Sequence, residues 1–340
     1  MKAAVFHSSG GPDVLRVEDV PTPEPGPGDV RVAVRAAALN HLDIHVRRGL
    51  PIDLTLPHIG GSDVAGVIDV AGPDVRGWKP GDRVIIDPSL SCGTCQACLR
   101  GEESLCVHYR ILGEHVAGGF AEYVVAPAAN LYRIPDNVGF EQAAAAPLAF
   151  LTAWRGLVTR GRLHAGESVL VTGASGGVAI AAIRVAIHLE ASVYAITTTE
   201  HVERVRALGA LAVFDRTQDD HRQRLWEQTG KRGVDVVFDS VGEATWMDNV
   251  RALARGGRMV VYGATSGPHG ATDIRHIFWK QIEILGTTMA NRREFLKVMD
   301  LVFGGALEPV IDCVMPLDQV RTAHERLERG EQFGKIVLTP

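Results

Sequence analysis

Four of the five cysteines fall between Cys92 and Cys106, in the order Cys92, Cys95, Cys98 and Cys106, which is the spacing CxxCxxCx7C. Thiolates spaced this way can meet a tetrahedral Zn2+, because tight CxxC turns aim two sulfurs at one point. Four thiolates leave the ion no open position. The expected site is therefore structural, one Zn2+ stapling a loop without Lewis-acid chemistry. A redox dithiol and unliganded cysteines are the competing readings, and such compact clustering in an apparently cytosolic chain favours metal over disulfide. Cys313 stands apart and reads as a small buried hydrophobe.

A second segment carries phosphate chemistry. Val169-Leu-Val-Thr-Gly-Ala-Ser-Gly-Gly-Val-Ala179 follows an apolar strand and opens a small-residue helix. A helix N-terminus presents unpaired N–H groups to an anion, and missing side chains let a pyrophosphate approach the backbone. Ala174-x-Gly176-x-x-Ala179 replaces two of the three usual glycines by alanine, and alanine at the third position still permits close helix–strand packing. The next strand ends Ala195-Ile-Thr-Thr-Thr199 with no carboxylate before Glu200. An acid there would bind the ribose 2′-hydroxyl of NAD and repel a 2′-phosphate. Its absence favours NADPH, with NADH the alternative. His201, Arg204 and Arg216, at or after neighbouring strand ends, could supply donors to a phosphate, or could be solvated surface groups.

These motifs need two kinds of scaffold. The first third of the chain reads as short strands (Ala3 to Phe6, Val30 to Ala36, Val64 to Val70, Arg83 to Ile86, Ala121 to Val125) separated by turn signals such as Pro80-Gly81-Asp82. Irregularly connected strands of this kind suggest a barrel-like β domain. After about Phe140 the pattern alternates. Strands at Ser168 to Thr172, Ser192 to Thr197, Leu211 to Phe214, Val234 to Phe238, Arg258 to Tyr262 and Ile282 to Leu285 are separated by helices near 176–189, 200–208, 220–229 and 245–254. That is the pattern of a doubly wound parallel sheet. Two helical stretches and the strand Lys335 to Leu338 close the chain, and this last segment is expected to return to the first domain.

Composition bounds the rest. The 340 residues favour two domains. A net charge of -5 gives no electrostatic reason to expect nucleic acid or an anionic membrane as partner. The first residues lack the apolar core of a secretory signal, and no run is long enough to span a bilayer, so a cytoplasmic protein is expected. The apolar strand at Ile282 to Gly286 could pair across a two-fold axis, which suggests a homodimer.

Taken together, the cysteine lobe, the βαβ fingerprint, Gly60-Gly-Ser-Asp-Val-Ala-Gly66 and Gly119-Phe-Ala-Glu-Tyr123 resemble zinc-type alcohol dehydrogenases of the medium-chain dehydrogenase/reductase superfamily. Ala38-Leu-Asn-His-Leu-Asp43, Pro147-Leu-Ala-Phe-Leu-Thr-Ala-Trp154 and Thr172-Gly-Ala-Ser-Gly-Gly177 resemble its quinone oxidoreductase branch. The resemblance spans essentially the whole chain. It implies a GroES-like catalytic domain from 1–150 and 288–340 and a Rossmann dinucleotide-binding domain at 151–287.

The same resemblance exposes a gap. Where the family's catalytic zinc takes a cysteine this chain has Asn40, where it takes a histidine it has Ser62, and the segment around Ala149 and Phe150 offers no third ligand. Asn and Ser are poor zinc ligands beside thiolate and imidazole. The hydroxyl that opens the family's proton relay is replaced by Leu42. A hydride acceptor that needs no metal is therefore expected: a quinone, or an alkene conjugated to a carbonyl, reduced by NADPH. By resemblance Asn40, His41 and Thr152 lie at the nicotinamide end with Gly263; Ser175, Gly176, Gly177 and Val178 lie at the pyrophosphate; Thr197, Thr198, His201 and Arg216 surround the 2′-phosphate; and Lys335 reaches the cofactor from the last strand. Asn40 is the candidate catalytic group, with Asp43 beside it more plausible as an orienting group than as the acid. Two alternatives stand against this reading. One is a zinc alcohol dehydrogenase with a metal site rebuilt from His41, His45, His58, Asp63 and His115. The other is a cofactor-binding protein without turnover.

Overall fold

In the computed structural model, residues 1–218 and 220–340 are described. They divide into two units: Met1–Ala149 with Ala290–Gly305 and Pro309–Pro340, and Phe150–Met289 with Ala306–Glu308.

The first unit is mainly β. Its largest sheet runs Leu131–Arg133, Arg83–Ile86, Asp63–Ala71, Asp29–Ala38, Lys335–Thr339 and Ile311–Pro316, with Tyr123–Pro127 also paired to the long strand Asp29–Ala38. Two shorter sheets, Arg16–Asp19/Lys2–Phe6/His58–Ile59 and Ser89–Leu90/Arg110–Ile111, complete it. Alternation in Asp29–Ala38 sends Val30, Val32 and Val34 inward, where they join Ile68, Val84, Ile86, Val124 and Ile336 in one apolar core. The final strand Lys335–Thr339 pairs antiparallel with Ala37 and Ala38 and parallel with Ile311–Pro316. The last residues are thus built into the sheet that carries the first half of the chain.

Ile311–Pro316 is a strand that the sequence pattern does not reveal, because IDCVMP neither alternates cleanly nor lacks a proline. It also corrects the reading of Cys313, which is half-buried in this edge strand and not enclosed.

The second unit is a six-stranded parallel sheet in the order Ala212–Asp215, Ser192–Thr197, Ser168–Val171, Val234–Asp239, Leu253–Val261 and Glu283–Gly286. In chain order this is 3-2-1-4-5-6, the Rossmann arrangement, whose switch point lies between the first and fourth strands. Helix Gly177–His188 follows the first strand directly. One helix ends earlier than its pattern suggests: it covers Trp246–Ala252, and Leu253 already pairs with Val234 as strand. The register shift between Val234 and Val236 accommodates this early start. Among the described residues no helix is long and apolar enough to cross a membrane.

Candidate functional site

In the cysteine lobe, each sulfur is aimed by local backbone. The Cys92 Sγ accepts from the Cys95 N–H at 3.3 Å, and the Cys106 Sγ accepts from the His108 N–H at 3.3 Å. All four sulfurs lie within 4.8 Å of one another, with separations of 3.5 Å for Cys95–Cys98, 3.5 Å for Cys92–Cys106 and 3.9 Å for Cys92–Cys98. Zn–S bonds of tetrahedral geometry put sulfurs about 3.8 Å apart, so this donor set fits Zn2+ in size and chemistry. Among the described residues no other group of three or more His, Cys, Asp or Glu side chains gathers in this way.

The rebuilt-site candidates are dispersed. His58 is buried, bonds through Nε2 to the Gly113 carbonyl at 3.0 Å and packs on Phe6. The His115 Nδ1 accepts from the Ile111 N–H at 3.1 Å. His41 and His45 are exposed on helix His41–Arg48.

Around Asn40 and Ser62, the positions where the family's zinc ligands would stand, a different network fills the space. Lys335 donates from Nζ to Asp63 Oδ2 at 2.9 Å and also to Asn40 Oδ1. Asn40 donates through Nδ2 to Asp63 Oδ2 at 3.0 Å and to the Ala38 carbonyl at 3.4 Å. The Leu148 N–H donates to Asp63 Oδ1 at 2.8 Å. Asp63 is fully buried and Lys335 is 4% exposed. The carboxylate most available to a metal is therefore occupied by three donors, one of them a cation. Ser62 is buried beside it with no hydrogen-bond partner for its hydroxyl. These residues do not fit a catalytic Zn2+: two are weak ligands, and an ammonium on the carboxylate repels a second cation.

Asp43 holds the neighbouring backbone. Its carboxylate accepts from the Asn40 N–H at 2.7 Å and from the Gly61 N–H at 3.0 Å, capping helix His41–Arg48 and tying it to the next loop. Gly61 has φ +97°, and a Cβ there would sit 2.7 Å from the Phe120 ring and 2.8 Å from the Phe120 nitrogen. That position requires glycine. Burial pushes the Asp43 carboxyl up to about 6. Glu114, also buried, is raised to about 7 by burial first and by the Asp43 charge second. Sequence reading missed Glu114, since nothing in Gly113-Glu114-His115 marks it, and it gave no hint that Lys335 and Asp63 meet.

In the second unit the turn after Ser168–Val171 needs Gly173 at φ +60°, and Gly176 caps helix Gly177–His188. The N–H groups of Gly177, Val178 and Ala179 open that helix and have no carbonyl one turn back to accept them. Ser175 lies in the same turn, half-buried. Across the switch point, Asp239 accepts from Thr172 Oγ1 at 2.6 Å, Thr245 Oγ1 at 3.0 Å and the Gly242 N–H at 2.9 Å, which fixes the two strand ends together. Gly263 follows the fifth strand and packs on Ser240, while Thr152 is buried with its hydroxyl 4.0 Å from the Met289 sulfur. The Thr197 hydroxyl is buried at its strand end without a partner. A glycine cradle, an open helix N-terminus and an orphaned hydroxyl at strand ends fit a dinucleotide.

The second strand's end departs from expectation in two ways. His201 is buried, 4% exposed, and does not project as a surface donor. Two carboxylates also stand nearby: Glu200 accepts from the Thr198 hydroxyl at 2.7 Å, and Asp215 accepts from Thr199 Oγ1 and Thr217 Oγ1, each at 2.6 Å. Arg216 is exposed and, with Arg222 and His221, lines an open depression of about 470 Å³.

Residues 26–136 match the alcohol dehydrogenase GroES-like domain, and residues 177–304 match the zinc-binding dehydrogenase domain. Acryloyl-coenzyme A reductase from Metallosphaera sedula is 34% identical over 344 residues, covering 100% of both chains. The chain belongs to the medium-chain dehydrogenase/reductase superfamily. Within that superfamily it is also similar to human quinone oxidoreductase, at 30% identity over 99% of this chain and 97% of that one. A crystal structure described as an NAD-dependent alcohol dehydrogenase superposes on this dehydrogenase/reductase with a TM-score of 0.96, at 45% identity over 100% of both chains. The protein is an oxidoreductase with a GroES-like domain and a Rossmann domain.

Proposed function

We propose that this oxidoreductase reduces quinones or carbonyl-conjugated alkenes with NADPH, carries one structural Zn2+ on Cys92, Cys95, Cys98 and Cys106, and uses no catalytic metal. The observation that carries this reading is the Lys335–Asp63–Asn40 network, which puts an ammonium where a metal would need the carboxylate. The relatives named acryloyl-coenzyme A reductase and quinone oxidoreductase support it.

The bound dinucleotide supplies a hydride. The chain's own part is to hold the acceptor in line, to place donors at its oxygen and to deliver a proton. Gly177 and Val178 hold the pyrophosphate through backbone N–H groups, with Ser175 and Gly176, whose own N–H goes to the Gly173 carbonyl, in the same turn. Thr197, Thr198 and Arg216 receive the 2′-phosphate, with His201 beneath them as packing. Thr152 and Gly263 serve the nicotinamide side, as do Asn40 and His41. Asp43 positions Asn40 and Gly61 by the bonds described above. Burial raises the Glu114 carboxyl to about 7, which makes it a candidate proton source.

One observation favours NADH instead. Asp215 and Glu200 are both held below the usual carboxylate range, Asp215 chiefly by the Thr199 hydroxyl and Glu200 chiefly by the Thr198 hydroxyl. Either charge would oppose a 2′-phosphate. Against this, the Asp215 oxygens are already occupied by Thr199 and Thr217, and Arg216 stands beside them. The protein is read as a cytoplasmic homodimer.

The deciding experiment follows oxidation of NADPH and NADH against quinones, enals and enoyl thioesters, beside zinc quantitation. Turnover with about one zinc per chain is expected. Two zincs per chain with alcohol oxidation would overturn the reading in favour of a zinc alcohol dehydrogenase, the activity in the name of the crystal structure at 45% identity.

A further inference from the structure

We propose that the Lys335 ammonium is the electrophile of the reduction, giving its remaining N–H to the carbonyl oxygen of the acceptor. This deepens the enone-reductase reading and rests on it. The argument begins with a count of protons. An ammonium has three N–H donors. Two are committed, one to Asp63 Oδ2 and one to Asn40 Oδ1.

The other groups of the network have nothing left to give. Asn40, the donor that the sequence favours, spends its Nδ2 protons on Asp63 and Ala38 and its oxygen on Lys335. Both Asp63 oxygens accept, one from Leu148 and one from Lys335 and Asn40. Beside the unpartnered Ser62 hydroxyl, the third Lys335 proton is the charged donor that remains among these residues. It is also fixed in place, because Lys335 opens a strand paired within the sheet and is clamped by two acceptors. A donor held this way needs no reorganisation when charge appears, and in a site with little water its effect is large.

The chemistry balances. Hydride brings two electrons and one hydrogen to the β-carbon of the enone. The alkene π pair shifts toward the carbonyl, and negative charge develops on its oxygen. Lys335 stabilises that charge by hydrogen bonding and stays an ammonium throughout. A proton from water or Glu114 then adds to the α-carbon, giving the saturated carbonyl compound and the oxidised dinucleotide. A single cation shielded on one side by Asp63 suits an acceptor whose charge is delocalised. It does not suit an unactivated carbonyl, whose reduction concentrates a full alkoxide charge on one oxygen.

The test has a kinetic and a binding arm. In the first, 2-cyclohexen-1-one is reduced by wild type, Lys335→Met, Lys335→Arg and the charge-neutral double variant Lys335→Met/Asp63→Asn, which avoids a lone buried carboxylate. A fall in kcat of about 100-fold is expected for both Met variants, with KM for NADPH within two- to threefold of wild type and partial recovery in Lys335→Arg. In the second arm, cyclohexane-1,3-dione, an enolate at neutral pH, is titrated into the enzyme–NADP+ complex. Wild type is expected to bind it at least ~10-fold more tightly than the Met variants, the size of one charged hydrogen bond. Unchanged kcat and dione affinity in the double variant would overturn the proposal. So would a loss confined to NADPH affinity, which would assign Lys335 to the cofactor. If wild type reduces no enone yet binds the dione through Lys335, the enone-reductase reading fails while the oxyanion role stands.

Discussion

Asp63 accepts a hydrogen bond from Lys335 at 2.9 Å although 272 residues separate them in sequence, and neither side chain is more than 4% exposed. Breaking such a pair from one side leaves a buried charge uncompensated. Asp63→Leu is expected to cost about 3–5 kcal/mol of unfolding free energy. Asp63→Leu/Lys335→Met should recover most of that loss, since the two apolar groups remove both charges together. Urea denaturation of the two variants checks this. Equal stability of the single and double variants would show that the unpaired Lys335 charge is not the source of the loss.

Replacing Cys98 by Ser should lower bound zinc from about one per chain to near zero and reduce the thermal midpoint. NADPH binding to the Rossmann unit should persist, because the cysteine lobe and the glycine cradle belong to different units. Metal analysis and fluorescence titration of NADPH measure the two effects separately. A variant that kept its zinc would remove Cys98 from the ligand set.

How much of this could be read beforehand differs by region. The alternation in Asp29–Ala38 and the unbroken apolar runs Ser168–Val171 and Val234–Asp239 reveal their strands, because burial on one face or both leaves a periodic imprint. The cysteine spacing reveals its cluster for the same reason: its ligands are local. Lys335, Asp63 and Glu114 leave no such trace, since their meaning depends on which distant backbone segments become neighbours. Ile311–Pro316 was hidden because an edge strand with half-exposed side chains carries weak periodicity. His201 read as a surface donor because a turn-region histidine next to a glutamate gives no sign of burial.

Arg216→Ala tests the cofactor. An exposed arginine bonded to a 2′-phosphate contributes on the order of 1.5 kcal/mol or more, so affinity for NADPH should fall about 10-fold. Affinity for NADH should be unchanged. A wild type that already prefers NADH, together with no effect of this substitution, would favour Asp215 and Glu200 as the residues that set specificity.

Glu114 and Asp43 give a signed pH dependence. Both carboxyls are raised in the folded protein, to about 7 and about 6, so the native state holds protons that the unfolded chain has released. Stability from these groups is greatest below their unfolded values near 4 and declines as pH rises from there to about 7. Glu114→Gln should flatten the upper part of that decline. In catalysis, the same substitution should remove a fall in kcat above about pH 7, if the carboxyl is the proton source. The neighbouring His115 accepts from the Ile111 N–H and does not supply that proton through Nδ1. Denaturation midpoints and kcat profiles across pH 5–9 check both.

Ile274, Phe278 and Trp279 on helix Ile274–Lys280 and Ile284 on the edge strand Glu283–Gly286 are exposed apolar side chains. Exposed apolar groups on a helix and a sheet edge are the kind of surface that a second copy of the chain covers. Trp279→Arg with Ile284→Arg is expected to convert a dimer into a monomer in light scattering. A monomeric wild type would end the homodimer reading.

The ammonium and the carboxylate it neutralises emerge from the ribosome far apart in time. At typical elongation speeds, 272 residues represent roughly 14–54 s of synthesis. Throughout that interval Asp63 lacks Lys335, and Asp29–Ala38 lacks the neighbour that Lys335–Thr339 will become. The six strands of the parallel sheet all lie between Ser168 and Gly286 and are made within that interval. The Asn40–Asp63–Lys335 network is thereby completed only after every strand of the parallel sheet has been made, so the electrostatics beside Asn40 and Asp63 are among the later features of this fold to form.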